Sequence, residues 1–553
     1  MTPAGARILH RLTSEPERTV AIYLHDGSPD EPVTAARLLS RSAGFAAALE
    51  GEGHPRPAAV AAICLYPGLD LHAAWLGAVW AGYIPTMIAP PSPRMEPRKY
   101  AAGFRAMAGH LGAEAWVLDA HAAGLLGAAA GDLGGRVLVA ESVADAPWTG
   151  RTWSDAGDLD AIAVLQHSSG TTGVQKAIGL TSRQILAHED AYGRALEMSE
   201  RDTVVSWLPL YHDMGFVACF LMPLLRGMRL VELSPFDWVR QPLRLLDAIQ
   251  QYGGTLCWLP NFAFAFLAGA RERAGDHGPW DLSSIRAWVN SSEPVMASSV
   301  ARFLEAYADS GVTRNQLTAS YAMAENVYAV TQSRPGAFRE VRVDREAFSR
   351  HVLQPGAGET GLALVSNGPV LETTEVRIVT PEGADLPEGH VGEILLRGAC
   401  RFAGYVGRAD LTAAAIDGGG WYHTGDLGAR LDGELFVTGR AKDLVIVQGR
   451  NFYPGDLEAA AAEIPGVTPG RVAAFGVSDE ISGTEKLVIL FERDPGSDDP
   501  EPVIALRLRA HIAQTFNCTA GEVRAVPPRW LVKSTSGKVA RADNRAKYLA
   551  HVH

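Results

Sequence analysis

DAIAVLQHSSGTTGVQKAIGLT, residues 160–181, is the stretch whose reading decides the fold. Its first seven residues are an apolar run of strand length, bounded on one side by Gly, Ser and Thr. The segment that follows, from Ser168 to Gly173, is built of hydroxyl side chains and glycines, and a lysine stands at 176. Glycines let backbone amides approach an anion closely, hydroxyls donate, and the lysine adds charge. The spacing is not that of the phosphate loop G-x-x-x-x-G-K-[ST], because Val174 and Gln175 separate Gly173 from Lys176. KAIGLT reads as extended chain, and Thr181 with Gln184 forms a capping box for the helix SRQILAHEDAYGRAL. The segment is therefore a strand-to-strand turn with a helix beyond it, suited to holding phosphates. Taken singly, such a turn is more often only a turn.

The same alternation continues outward. AAVAAICLY (58–66) reads as a buried strand and DLHAAWLGAVWAGY (70–83) as a helix, and AEAWVLDA and RVLVAES repeat the strand signal. Strands alternating with helical stretches predict an α/β architecture with largely parallel sheets. Composition shifts near residue 439, after which KDLVIVQG, RVAAFGV and KLVILFER read as strands, with helices near 455–463 and 503–515. The expectation is a large N-terminal α/β domain, 1–438, and a small α+β domain, 439–553. The acidic stretch DPGSDDPEPV (494–503) reads as a surface loop.

Composition narrows the functional classes. With 553 residues the chain exceeds one compact core. Lys plus Arg number 50 against 62 Asp plus Glu, a net charge of -12, which argues against a nucleic-acid binder. The five cysteines are scattered without a C-x-x-C pair and read as buried reduced thiols. The N-terminus lacks a signal-peptide pattern, and the most apolar stretches are broken by Pro and Gly before they could span a bilayer. The default expectation is a cytoplasmic protein with no membrane insertion.

Further segments follow the opening turn in a fixed order: WLPLYHDMGF (207–216), WVNSSEPV (288–295), SYAMAENVYAV (320–330), WYHTGDLG (421–428), GRAKDLVIVQGRNFYPGDLE (439–458) and KSTSGKVARADNRAKYL (533–549). Together they resemble the adenylate-forming superfamily, which includes acyl-CoA synthetases, peptide-synthetase adenylation domains and luciferases. Within it the chain is most similar to fatty acyl-AMP ligases. LPLYHDMGF, the segment ending in PNFAF, GRNFYP, Ala324 ahead of Glu325, and the insertion-like REVRVDREAFSRHVLQPGAGET carry that likeness.

The resemblance implies a reaction and a set of roles. A carboxylate attacks the α-phosphorus of ATP and pyrophosphate leaves, so two anions must meet among fixed donors and positive charge. Ser168, Ser169, Gly170, Thr171, Thr172, Gly173 and Lys176 would cradle the β- and γ-phosphates, the future leaving group. Glu325 would be the protein ligand of Mg²⁺. Asp426 would accept from both ribose hydroxyls, with Arg440 beside it. Tyr321 and the backbone around Ser292 and Glu293 would frame the adenine. His212 would line the channel where carboxylate meets phosphate, and Lys538 would reach both reacting groups. Trp258, Asn261 and Phe262 would line the acid pocket, and Lys442 would be the hinge about which the small domain rotates. The acyl group would pass to the phosphopantetheine of an acyl carrier protein supplied in trans.

Several positions depart from the family pattern. Gln175 stands where Pro is common, Ala177 and Ala322 where Gly is common, and NSSEPV carries Ser where Gly-Ala is usual. An indole at 258 would shorten or close a fatty-acyl tunnel. The alternatives are an acyl-CoA synthetase, an enzyme activating a small or unusual acid (nitrite included) for attack by an amine, or a nucleotide-binding protein without catalysis.

Overall fold

The computed structural model describes all residues except 1, 52–54, 92–99, 102–103, 106–107, 110, 149–156, 168–175, 276–278, 357, 359–360, 448–449, 480–483, 535–536 and 553. Strands Ile162–His167 and Ala177–Thr181 pair antiparallel, with His167 opposite Ala177. The Thr181 hydroxyl accepts from the Gln184 amide, and the Gln184 side chain accepts from the Thr181 amide, so the expected capping box starts helix Ser182–Ala195. The turn between the strands, from Ser168 to Gly173, lies outside the described residues.

These two strands belong to a seven-stranded sheet that continues through Ile84–Met87, Val60–Cys64, Ala115–Leu118 and Arg136–Val139, all parallel, with Gly404–Tyr405 on its other edge. Both faces of this sheet are covered. Ala61 and Ile63 belong to the main core, while Val60, Ala62 and Cys64 belong to a second cluster with Trp116 and Leu118. That is why the run reads as uninterruptedly apolar rather than alternating. A second seven-stranded sheet holds Thr203–Ser206, Arg229–Leu233, Leu256–Pro260 and Ala287–Ser291 side by side in parallel. Helix Leu69–Ala81 contributes to the core shared by the two sheets, and every residue in it but Asp70 is buried, as an apolar-all-round helix requires.

A four-stranded antiparallel sheet (Thr374–Val379, Gly392–Gly398, Tyr422–Leu431, Glu434–Arg440) carries the TGDL segment. Beyond the turn Ala441–Asp443 lies a three-stranded sheet of Val467–Asp479, Thr484–Arg493 and Glu522–Val526, packed by helices Pro454–Ala462, Glu501–Phe516 and Arg541–Val552. Its apolar residues form clusters of their own. Helix Glu501–Phe516 begins inside the stretch read from sequence as loop, because Pro500 and Pro502 suit a helix start.

The insertion-like stretch meets the GRNFYP segment directly. The Phe348 ring stacks on Tyr453 at 4.8 Å, the Tyr453 hydroxyl lies 3.0 Å from His351 Nδ1, and Asn451 donates to the Ser349 carbonyl at 3.3 Å. All five cysteines are buried and free. Among the described residues, no helix is long and apolar enough to cross a membrane.

Candidate active site

The hairpin Tyr422–Leu431/Glu434–Arg440 places Asp426 directly opposite Arg440. One carboxylate oxygen of Asp426 accepts from Arg440 Nε at 3.1 Å, and the other accepts from the Tyr321 hydroxyl at 2.7 Å. Burial raises the Asp426 carboxyl, while Arg440 and Tyr321 act to lower it. The result is a desolvated carboxylate with fixed donors on both oxygens, next to a cation.

Glu325 sits in the single turn Ala324–Asn326. Its carboxylate accepts from the Tyr405 hydroxyl at 3.1 Å, and Lys176 Nζ lies 4.5 Å over the Tyr405 ring. Burial raises the Glu325 carboxyl, and Asp213 adds to that, against the Tyr405 bond and Lys176. The chain leaves Glu325 through Val327 at φ 63, ψ -59, an unfavourable conformation for a β-branched residue. The Tyr328 amide donates to the Asn326 carbonyl at 2.7 Å across this tight turn, and Gln166 donates to the Val327 carbonyl at 3.1 Å. Strain of this kind persists only where surrounding structure holds it, and here it fixes where Glu325 points. A hard oxygen ligand with little water around it, with Lys176 over the neighbouring Tyr405 ring, fits Mg²⁺, which takes one or two carboxylates and completes its shell with phosphate and water.

Lys538 follows Gly537, whose φ of +84 favours glycine. The turn is closed by the Ser534 amide donating to the Lys538 carbonyl at 2.8 Å and by the Lys538 amide donating to the Ser534 hydroxyl at 3.2 Å. This brings the ammonium within electrostatic reach of Glu293, Asp213, Arg440 and Asp426. Burial lowers the Lys538 ammonium from its usual range, and Arg440 adds to that, against the three carboxylates. His212 Nδ1 lies 2.6 Å from Asp213. Burial would raise the Asp213 carboxyl, yet His212, Lys538 and the Met214 amide together hold it below its ordinary value. The Asp213 segment enters a π-helical stretch, Met214–Leu221, in which a Cβ on Gly215 would fall 2.3 Å from the Pro209 carbonyl oxygen. The glycine of HDMGF is thus required by close packing.

If Lys538 has the role the family resemblance implies, only its charged form can neutralise a developing anion, and kcat/KM is expected to fall on the alkaline side before pH reaches the ordinary lysine range. The sign follows from the lowered folded-state pKa: the cation is present below that value and lost as pH rises through it. Lys538→Arg, whose guanidinium stays charged, should retain a reduced rate without that limb. A pH–rate profile of both forms checks this; the same limb in the arginine variant would assign it to another group.

Glu293 accepts from the Phe262 amide at 2.9 Å and so caps helix Asn261–Ala274. Ser292 holds φ 69, and its hydroxyl lies 3.6 Å from the Met214 sulfur. Asn261 is fully engaged: its amide donates to Ser299, and its carbonyl oxygen accepts from Asn290 and the Met296 amide. Phe262 lies beside Gly537 and near the Lys533 ammonium. Trp258 faces no open channel; it is 0 % exposed. Lys442 lies on the exposed turn Ala441–Asp443.

Two participants carried no sequence signal. Tyr405 reaches Glu325 because Gly404–Tyr405 pairs with Ile178 and Gly179 at the sheet edge. Lys533, buried enough to bring its ammonium down to about 8, stands near Glu293 and Phe262.

With this geometry in hand, the comparisons with known proteins are specific. The family model described as AMP-binding enzyme matches residues 9–406. A long-chain-fatty-acid–AMP ligase, FadD32 of Mycolicibacterium smegmatis, is 32% identical across 95% of this chain and 90% of its own. A structure from a study of fatty acyl-adenylate ligases of E. coli and L. pneumophila superposes with TM-score 0.87 at 25% identity, covering 99% of this chain and 98% of that one. The L. pneumophila fatty acyl-adenylate ligase in complex with acyl adenylate and pyrophosphate superposes with TM-score 0.73 at 25% identity, over 99% and 96% of the two chains.

Proposed function

This chain belongs to the AMP-binding enzyme family, and from that premise we propose how its site forms an acyl-AMP and hands the acyl group on. It is a ligase that joins a carboxylic acid to AMP from ATP, releasing pyrophosphate. The observation that carries the reading is that Lys538, near the C-terminus, lies within electrostatic reach of Asp213, Glu293, Arg440 and Asp426, from the preceding sheets and their loops.

The residues divide the work. Asp426, with Arg440 and Tyr321 bonded to it, presents acceptors to the ribose hydroxyls. Ser168 to Gly173 and Lys176 hold the β- and γ-phosphates. Glu325 would hold Mg²⁺, which supplies charge neutralisation on the phosphates when bound. A carboxylate oxygen of the acid attacks the α-phosphorus in line, the bond to the β-phosphate oxygen breaks, and Lys538 offsets the negative charge that builds on the α-phosphate oxygens. His212, oriented by Asp213, lines the entry of the acid.

In the second half-reaction a thiol attacks the acyl carbonyl and AMP leaves. We assign that thiol to the phosphopantetheine of a carrier protein acting in trans. Residues 439–553 would pivot near Lys442 to withdraw Lys538 and admit the thiol, and the Phe348–Tyr453 and His351–Tyr453 contacts would bias that pivot. The test is pyrophosphate release from ATP and Mg²⁺ over an acid panel, each acid run with no acceptor, with CoA, and with a phosphopantetheinylated carrier. Acyl transfer to the carrier alone is expected. Acylation of CoA would replace the carrier by CoA, and no pyrophosphate from any acid would end the adenylation reading.

A further inference from the structure

On the reading above, the acid must bring its carboxylate to Lys538 while the phosphates lie toward Glu325 and Lys176 and the ribose toward Asp426. A tail running inward past Asp213 would enter the region where the ends of strands Leu256–Pro260 and Ala287–Ser291, helix Ser182–Ala195 and the segment after Val327 converge. That space is filled. Tyr328, beside Asp213 and Ser291, packs edge-on against Tyr192 at 5.6 Å. Behind them the Trp258 indole donates to the Tyr192 hydroxyl at 2.8 Å, and His188 lies 5.2 Å from the Tyr192 ring. Tyr328, Tyr192, Trp258 and His188 are each 0 % exposed.

The block is cross-linked as well as dense. His188 Nε2 accepts from the Ala329 amide at 2.9 Å, which ties the helix to the segment carrying Tyr328. Burial pushes His188 down to about 3, so it stays the neutral acceptor that this bond needs. Swinging the indole aside would break a buried hydrogen bond and open a void among close-packed aromatics, both unfavourable. The apolar recess between Leu65, Pro90, Pro209 and Phe236 offers no second route, since its volume of about 10 Å³ holds one water at most.

We propose that this ligase activates a compact carboxylic acid, a short-chain or small-ring acid, and that Trp258, held by Tyr192, is the residue that excludes long alkyl chains. The inference rests on the acid-adenylation reading above.

The experiment measures kcat/KM for pyrophosphate release with acetate, butyrate, benzoate, octanoate and dodecanoate, for the native protein, Trp258→Ala and Trp258→Leu. The native protein should favour the compact acids over dodecanoate by at least about tenfold, and Trp258→Ala should shift that ratio toward dodecanoate by about tenfold or more. A native preference for dodecanoate overturns the inference while leaving adenylation standing. A compact-acid preference unchanged in variants that melt cooperatively overturns the role of Trp258. Should the alanine variant fail to fold, the leucine variant and the native profile decide. Pyrophosphate from no acid at all removes the adenylation reading and the inference with it.

Discussion

Replacing Lys538 by alanine should lower the rate of pyrophosphate formation by at least about a hundredfold, some 2.7 kcal/mol of transition-state stabilisation, while ATP binding stays near that of the native protein. Lys538 is a cation desolvated among Asp213, Glu293 and Asp426, so its field is weakly screened where the α-phosphate would sit. The charge it answers is largest in the transition state, so its loss acts on kcat more than on affinity. Single-turnover pyrophosphate release, set beside nucleotide binding by calorimetry, separates the two effects. Unchanged turnover would leave Lys538 with no catalytic role. A fall confined to ATP affinity would make it a binding residue only.

Asp426→Ala should act in the opposite sense, raising the KM for ATP and weakening AMP binding by roughly a hundredfold with a smaller effect on kcat. Hydrogen bonds to a charged group contribute about 1.5–3 kcal/mol each, and the carboxylate would offer one to each ribose hydroxyl. Asp426→Asn, which keeps one acceptor, should fall between the two. Both substitutions also remove the partner of the buried Tyr321 hydroxyl and of Arg440, so melting temperatures are needed beside the kinetics. A variant with lower melting temperature and native KM for ATP would leave Asp426 as a strand-pair organiser without a nucleotide role.

Much of this protein was legible in its sequence because the signals are local. An uninterrupted apolar run of this length such as AAVAAICLY reads as a strand covered on both faces, and Val60–Cys64 is one, its alternate residues feeding two different cores. Thr181 and Gln184 announce a helix start through bonds made within one turn, and the helix begins there. The motif order likewise named the family, because its motifs stand at fixed places along the chain. The limits were local too. The start of helix Glu501–Phe516 was read as loop because its acidic, Pro-rich opening has the composition of surface chain.

Tertiary structure decided what no stretch of sequence carries: which distant side chains share a space. Tyr405 reaches Glu325 only because two residues, Gly404 and Tyr405, add to the edge of a sheet formed far earlier in the chain. Lys538 comes within electrostatic reach of Asp426 and Asp213 although it stands more than a hundred residues beyond Asp426 and more than three hundred beyond Asp213 in the chain. Trp258 showed in the sequence as a bulky residue at a pocket position. That it is tied to Tyr192 and backed by His188 and Tyr328 depends on a helix, a strand and a strained turn converging. Periodicity and motif spacing record how each segment meets its immediate neighbours and the solvent, so they determined the elements and the family, and named the groups expected to react. The size of the space left for the acid is set by close packing among segments far apart in the chain, and only the assembled core determines it.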